Sequence, residues 1–148
     1  MTTSSTISPF PIVQQGDRNH PVKTLQYLLR ERGHSVDVDG IFGPATDAAV
    51  RAFQQEKNLA VDGDVGPKTW AALIVIVRSG SRGDAVRGVQ EEFQFRAGEP
   101  GQGLQVDGIF GPKTDAAVRG FQQALSLGAD GIVGPKTWQA LVSGMLAG

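Results

Sequence analysis

The chain has 148 residues, 40% apolar and 20% charged, a balance that suits a globular protein and not a disordered one. Its 14 Lys and Arg against 15 Asp and Glu leave a net charge of −1, so no basic field is present to hold a nucleic-acid backbone. The absence of cysteine excludes disulfides, thiolate zinc sites and cysteine nucleophiles, and no apolar run approaches the roughly 18 residues of a membrane span.

The first residues, Met1–Ser8, are rich in Ser and Thr and carry neither a basic start nor an apolar stretch of secretory length. They offer little to bury, and residues 1–9 are expected to form a loose tail. Pro21 suits the opening position of a first helix, where its missing N–H costs nothing. Val22, Leu25, Leu28 and Leu29 then recur at helical spacing, and Gly33 offers a left-handed stop. The turn dipeptide Asp39-Gly40 leads to a second helix opened by Pro44, with Ala48, Ala49, Val50 and Phe53 on its apolar side. Asp62-Gly63 leads to a third, opened by Pro67 and buried through Trp70, Ala71, Leu73 and Ile74. The β-branched run Ile74–Val77 reads as an extended lead-in packed under a second unit.

That second unit repeats the pattern of the first. Asp39–Leu73 and Asp107–Leu141 align at an offset of 68 without a gap, and nine of the 35 positions differ. Upstream the offset is 64, pairing Ile12-Val13 with Ile76-Val77, Gly16 with Gly80, Val22 with Val86 and Gln26 with Gln90. The second copy therefore carries four extra residues, most simply within Arg96–Gln105, where Gly-Glu-Pro-Gly-Gln-Gly is loop chemistry. Asp84 stands at a helix-cap position that His20 holds in the first copy. The expected architecture is all-α, with two tandem three-helix units at residues 10–73 and 74–142 and a C-terminal tail at 143–148. Units this small supply few kcal/mol of core each, so they are expected to pack on one another.

The repeat resembles the peptidoglycan-binding-domain-1 family. Val22, Leu25, Gln26, Leu29 and Gly33 carry the first part of the family pattern. Asp39, Gly40, Phe42, Gly43, Thr46, Ala49, Val50, Phe53 and Gln54 carry the second, and Asp62, Gly63, Val65, Gly66, Pro67, Thr69, Trp70 and Leu73 the third. The second copy departs in its first helix, where Val89 and Phe93 replace leucines. The resemblance implies a three-helix module that attaches proteins to bacterial cell wall, usually beside a lytic enzyme or in a spore or phage protein.

Catalytic constellations are poorly served. A zinc hydrolase needs about three protein ligands, and the two histidines, His20 and His34, both lie in the first copy. The doubled acids are Asp39/Asp107, Asp47/Asp115 and Asp62/Asp130, and two of these pairs sit in Asp-Gly turns, where aspartate bonds to its own backbone. Ser35-x-Asp37-x-Asp39-Gly40 imitates the start of a calcium loop, but Thr46 stands where a bidentate Glu is required. Phe53 and Trp70 recur as core aromatics, whereas Phe42 and Phe110, being in loops, are open to a stacking role on sugar. A polar stripe is the other candidate. Asp47, Arg51 and Gln55 stand at i, i+4 and i+8 with Gln54 beside them, and Asp115, Arg119, Gln123 and Gln122 repeat the pattern. Forked donors and amides of this kind suit glycan hydroxyls and stem-peptide carboxylates.

The sequence therefore points to a non-catalytic, cofactor-free and metal-free protein of two peptidoglycan-binding modules acting by avidity on glycan strand or stem peptide, a lytic enzyme or assembly being a further partner. The expected location is the extracytoplasmic cell wall by function, the alternative being a cytoplasmic or non-classically exported protein, because Met1–Ser8 lack the pattern of a classical signal. A second reading is a docking adaptor within a phage-tail-like, spore or secretion assembly, without nucleic acid or a membrane span.

Overall fold

Each Asp-Gly turn is a fixed point from which one helix is hung and another launched. The structure, a computed structural model, describes residues 7–97 and 104–143. Its helices are α1 (Val22–Glu31), α2 (Pro44–Glu56), α3 (Pro67–Leu73), α4 (Asp84–Ala97), α5 (Pro112–Ala124) and α6 (Pro135–Ser143). α2, α3 and α5 each begin with proline behind an extended glycine, as the sequence predicts. Pro21 instead stands one residue ahead of α1, and Gly33, at φ +92°, ends that helix while the His34 N–H reaches back to the Leu29 carbonyl at 2.9 Å.

One buried glutamine organises each turn. The Gln26 carboxamide accepts from the backbone N–H groups of Asp39 and Gly40, both at 3.0 Å. It donates to Asp39 Oδ1 (2.9 Å), the Ile41 carbonyl (3.1 Å) and Thr46 Oγ1 (3.1 Å). Gln90 makes the same five bonds to Asp107, Gly108, Ile109 and Thr114. Gln54 makes four of these, to Asp62, Gly63, Asp64 and Thr69, and Gln122 four, to Asp130, Gly131, Ile132 and Thr137, accepting there from the glycine N–H alone. So the device occurs four times, twice in each unit. A helix glutamine pins the turn, and the threonine of the next helix is pinned with it.

Around these pins the cores close. Trp70 and Trp138, both fully buried, donate their indole N–H to the carbonyls of Pro11 and Val75 at 2.9 and 2.8 Å. Residues 68 apart thus occupy equivalent places. The extended lead-ins complete each unit, Val13 bridging Val65 and Val77 bridging Val133 in antiparallel fashion. Ala48 and Ala71, which the apolar pattern turns inward, are exposed; on α2 the buried face is Thr46, Val50, Phe53 and Gln54. Polar pins have taken places that an apolar pattern assigns to alanine.

The units pack through α1 against an antiparallel α4. Glu92, with no exposed surface, is the centre of that seam. It accepts from Thr24 Oγ1 at 2.6 Å, lies 2.7 Å from His20 Nε2 and takes Arg96 Nη1 at 2.8 Å. At the other end Glu31 Oε1 accepts the Ala85 N–H at 2.9 Å, and Arg30 pairs with Asp84 at 3.4 Å. Asp84 is therefore not the cap expected of it: it is the first residue of α4, and the neighbouring unit's glutamate takes the adjacent N–H.

The N-terminal tail is docked where it is described. Ile7 packs on the core, the Ser8 carbonyl accepts from Gln139 of the second unit at 2.9 Å, and Phe10 stacks on Trp70 at 5.9 Å. Residues 1–6, 98–103 and 144–148, which hold the rest of that tail, most of the insertion and the C-terminal tail, lie outside the described residues.

Two substitutions test this scheme. Gln26→Ala strands the N–H groups of Asp39 and Gly40, at about 1–3 kcal/mol per unsatisfied buried group. The melting temperature is expected to fall by roughly 5–10 °C; a shift within a degree would show the pin to be dispensable. Glu92→Ala removes the shared acceptor of Thr24, His20 and Arg96, and breaking such a buried pair costs about 3–5 kcal/mol. A urea midpoint unchanged from the parent would contradict that role.

Candidate functional site

The residues singled out from sequence divide sharply by burial. Phe42 and Phe110 are each 1% exposed and belong to the core, so neither offers a ring to a ligand. Gln54 and Gln122, also 1% exposed, spend their carboxamides on the turns and are likewise corrected from binding to structural residues. An amide pointing inward cannot be told from one pointing outward by helical spacing alone.

Asp47 and Arg51 are at the surface and paired at 3.0 Å, as are Asp115 and Arg119. Exposed pairs of this kind contribute little stability. Their geometry shows a second duty. A Cβ placed on Gly63, whose φ is +75°, would stand 2.7 Å from both Arg51 Nη2 and Asp47 Oδ1, so the pair lies flat across the turn. Asp115 and Arg119 cover Gly131 in the same way, and Arg87 covers Gly108. Each turn is thus pinned from inside by glutamine and roofed from outside by a cation three residues before that glutamine on the same helix: Lys23, Arg51, Arg87 or Arg119. Gln55 and Gln123 remain exposed beside the roof.

On the other flank of the α2–α3 turn lies a groove of about 540 Å³, walled by Ile12, Leu59 and Pro67 with Asp62, Asp64 and Lys68 at its polar edge. The second unit has its counterpart, about 400 Å³, walled by Leu127, Ile132 and Pro135 with Asp130 and Lys136. Recurrence at equivalent residues distinguishes this groove. Another depression, between Arg30, His34, Asp37 and Asp84, belongs to the seam and involves only the first unit's loop. The backbone of Gly66 and Gly134 forms part of the groove surface. Apolar walls with one ammonium and, at the edge, two carboxylates in the first groove and one in the second accommodate acetyl and methyl groups beside amides.

The histidines are elsewhere. His20 lies in the seam against Glu92, stacked 4.2 Å over Phe95, and His34 meets Glu56 at 3.1 Å. Among the described residues no three His, Asp or Glu side chains gather in a way that could hold a metal ion. Nor is any described helix long and apolar enough to cross a membrane.

The turn aspartates carry the electrostatic signature of the pins. The carboxyl of Asp39 is held below the ordinary aspartate range by the Ile41 N–H and then by Gln26, and that of Asp107 by the Ile109 N–H and Gln90. Asp62 and Asp130 are lowered chiefly by the N–H groups of Asp64 and Ile132. A carboxyl whose folded pKa is lowered adds stability above its unfolded value, about pH 4, and that stability is lost as pH falls through the folded value. Melting temperature should therefore hold between pH 7 and 5 and drop on acidification below pH 4. Asp39→Asn with Asp107→Asn keeps the Oδ1 acceptors without the titration and should flatten that drop. Identical acid slopes for variant and parent would contradict the assignment.

Comparison with known proteins also finds two tandem copies. The family described as "Putative peptidoglycan binding domain" matches residues 18–73 and again 82–141. A protein of Kitasatospora aureofaciens, "Uncharacterized protein in bpoA1 3'region", is 51% identical over 65 residues, which are 43% of this chain and 55% of that protein. The zinc D-Ala-D-Ala carboxypeptidase of Streptomyces albus G is 39% identical over 61 residues, 39% of this chain and 24% of the enzyme. The chain thus spans about half, or a quarter, of the length of these relatives. Among solved structures, the SleB N-terminal domain is 38% identical, with a TM-score of 0.42 over 46% of this chain and 93% of that one. The chain belongs to the peptidoglycan-binding-domain-1 family, of which it carries two copies in tandem.

Proposed function

We propose that the protein is a non-catalytic attachment module, located at the bacterial cell wall, and that each copy takes peptidoglycan in the groove between Leu59 and Lys68 or its counterpart between Leu127 and Lys136. The recurrence of that groove in both units, with apolar walls and one lysine in each, is the observation that carries the reading. N-acetyl groups of the glycan and methyl groups of stem-peptide alanines suit the apolar walls, and the lysine suits a stem-peptide carboxylate. Arg51 with Gln55, and Arg119 with Gln123, lie on the opposite flank of the same turns and offer a further polar contact to the wall outside the grooves. Two grooves on one protein raise retention on a multivalent wall by effective concentration, up to about 10²–10⁴-fold.

The groove is testable without disturbing the fold. A Cβ added at Gly134 meets nothing within 4 Å, and one at Gly66 meets only Ile12 Cγ1 at 3.9 Å. Neither glycine has a positive φ, so Gly66→Phe and Gly134→Phe fill the grooves with little strain. The parent should co-sediment with purified sacculi and release neither reducing sugar nor free amines. Each filled groove should weaken sedimentation by about tenfold or more through lost avidity, with the melting temperature retained. Undiminished sedimentation of the doubly filled variant would place the ligand elsewhere. Sugar or amine release by the purified protein would overturn the non-catalytic reading.

A further inference from the structure

The two units are joined by a half-turn and not by a step along a line. Equivalent positions on α1 and α4 are 64 apart, so Thr24 corresponds to Gly88, and these two face each other: a Cβ on Gly88 would stand 3.7 Å from Thr24 Cγ2. A residue that meets its own counterpart marks a two-fold axis. The rest of the seam agrees. His20 stacks on Phe95 at one end of the seam. Their counterparts, Asp84 and Glu31, come together at the other end, where Glu31 Oε1 takes the Ala85 N–H at 2.9 Å.

From this arrangement, and resting on the reading that each groove takes wall material, we infer that the protein bridges two separate peptidoglycan strands and does not lie along one. Glycan strands and stem peptides have direction and repeat by translation. Sites related by a half-turn cannot both accept one such strand in the same sense. If the axis crosses the strand, the second groove meets it with reversed polarity; if the axis runs along the strand, the second groove faces the opposite side. Only two strands satisfy both grooves.

The seam leaves no swivel that would undo this. Glu92 is buried and engaged by Thr24 and His20 from the first unit and by Arg96 from its own. The Trp138 ring lies 3.5 Å from where a Gly88 Cβ would stand, so the seam is continuous with the second core. The N-terminal segment adds a second tie, with Phe10 on Trp70 of the first unit and the Ser8 carbonyl on Gln139 of the second. Two independent connections hold the grooves in one relation. A flexible pair of modules would follow any strand; a locked pair is confined to its symmetry.

The test uses immobilised sacculi and fluorescently labelled, soluble, uncross-linked peptidoglycan strands. Parent protein added at low occupancy should carry labelled strands onto the sacculi. Gly66→Phe and Gly134→Phe should each still bind sacculi through the remaining groove, yet capture of labelled strand should fall at least tenfold. Sacculus binding without strand capture by the parent overturns the bridge and leaves the wall-binding reading intact. Capture that survives in both single variants also overturns the bridge, because one groove would then suffice. No binding of either material overturns both.

Discussion

A buried carboxamide that pins an Asp-Gly turn is the interaction on which the rest of this molecule depends. A turn of this kind directs its glycine N–H, and in the turns after α1 and α4 its aspartate N–H as well, to a site where water is excluded, and unsatisfied groups there are expensive. Gln26, Gln54, Gln90 and Gln122 meet that demand from helices already placed by their apolar faces. Each glutamine also holds the threonine in the first turn of the following helix, Thr46, Thr69, Thr114 or Thr137, so turn and helix direction are set together. With so little apolar material per unit, a few polar pins of this quality decide where short helices such as α3 can lie. The lysine or arginine roof over each glycine completes the turn from the solvent side, and the groove exists because its wall, Gly66 or Gly134, is anchored through the same turn.

Much of this was legible in the chain. Proline behind glycine marks the helix starts, the offset of 68 marks the two copies, and Trp70 and Trp138 are buried in both. The family is likewise readable from the repeated motifs. Side-chain direction was not. Gln54 sits beside Arg51 and Gln55 on a helical projection, yet it faces inward because four partners await it there, whereas its neighbours face water. Phe42 stands in a loop, and only the closure of that loop by Gln26 carries it into the core. A finer signal was present: a basic residue three before each of the four glutamines, followed by Asp-Gly-x-apolar-Gly-Pro-x-Thr. Read as a half-repeat, it assigns Gln54 and Gln122 the role of Gln26 and Gln90.

The seam was the least legible part, for a physical reason. Its members are unequal: Glu92 stands where the first copy has Leu28, and Gly88 where it has Thr24. An internal alignment treats such positions as noise, but they are what one unit needs to receive the other. The missing side chain at Gly88 makes room for Thr24 and Tyr27, and the carboxylate of Glu92 reaches across to Thr24 and His20. Divergence between the copies is concentrated where they meet, and it fixes the angle between two surfaces that have otherwise changed little.

The central claim is that wall material is read by the matched grooves and not by the Asp39–Gly43 and Asp107–Gly111 turns. Backbone amide shifts recorded while a soluble muropeptide is titrated into labelled protein test it most directly. The account predicts that Gly66 and Lys68 move together with Gly134 and Lys136, while Thr24, Gly88 and Glu92 in the seam stay still. Movement centred on the Asp39–Gly43 and Asp107–Gly111 loops, with the grooves silent, would contradict it.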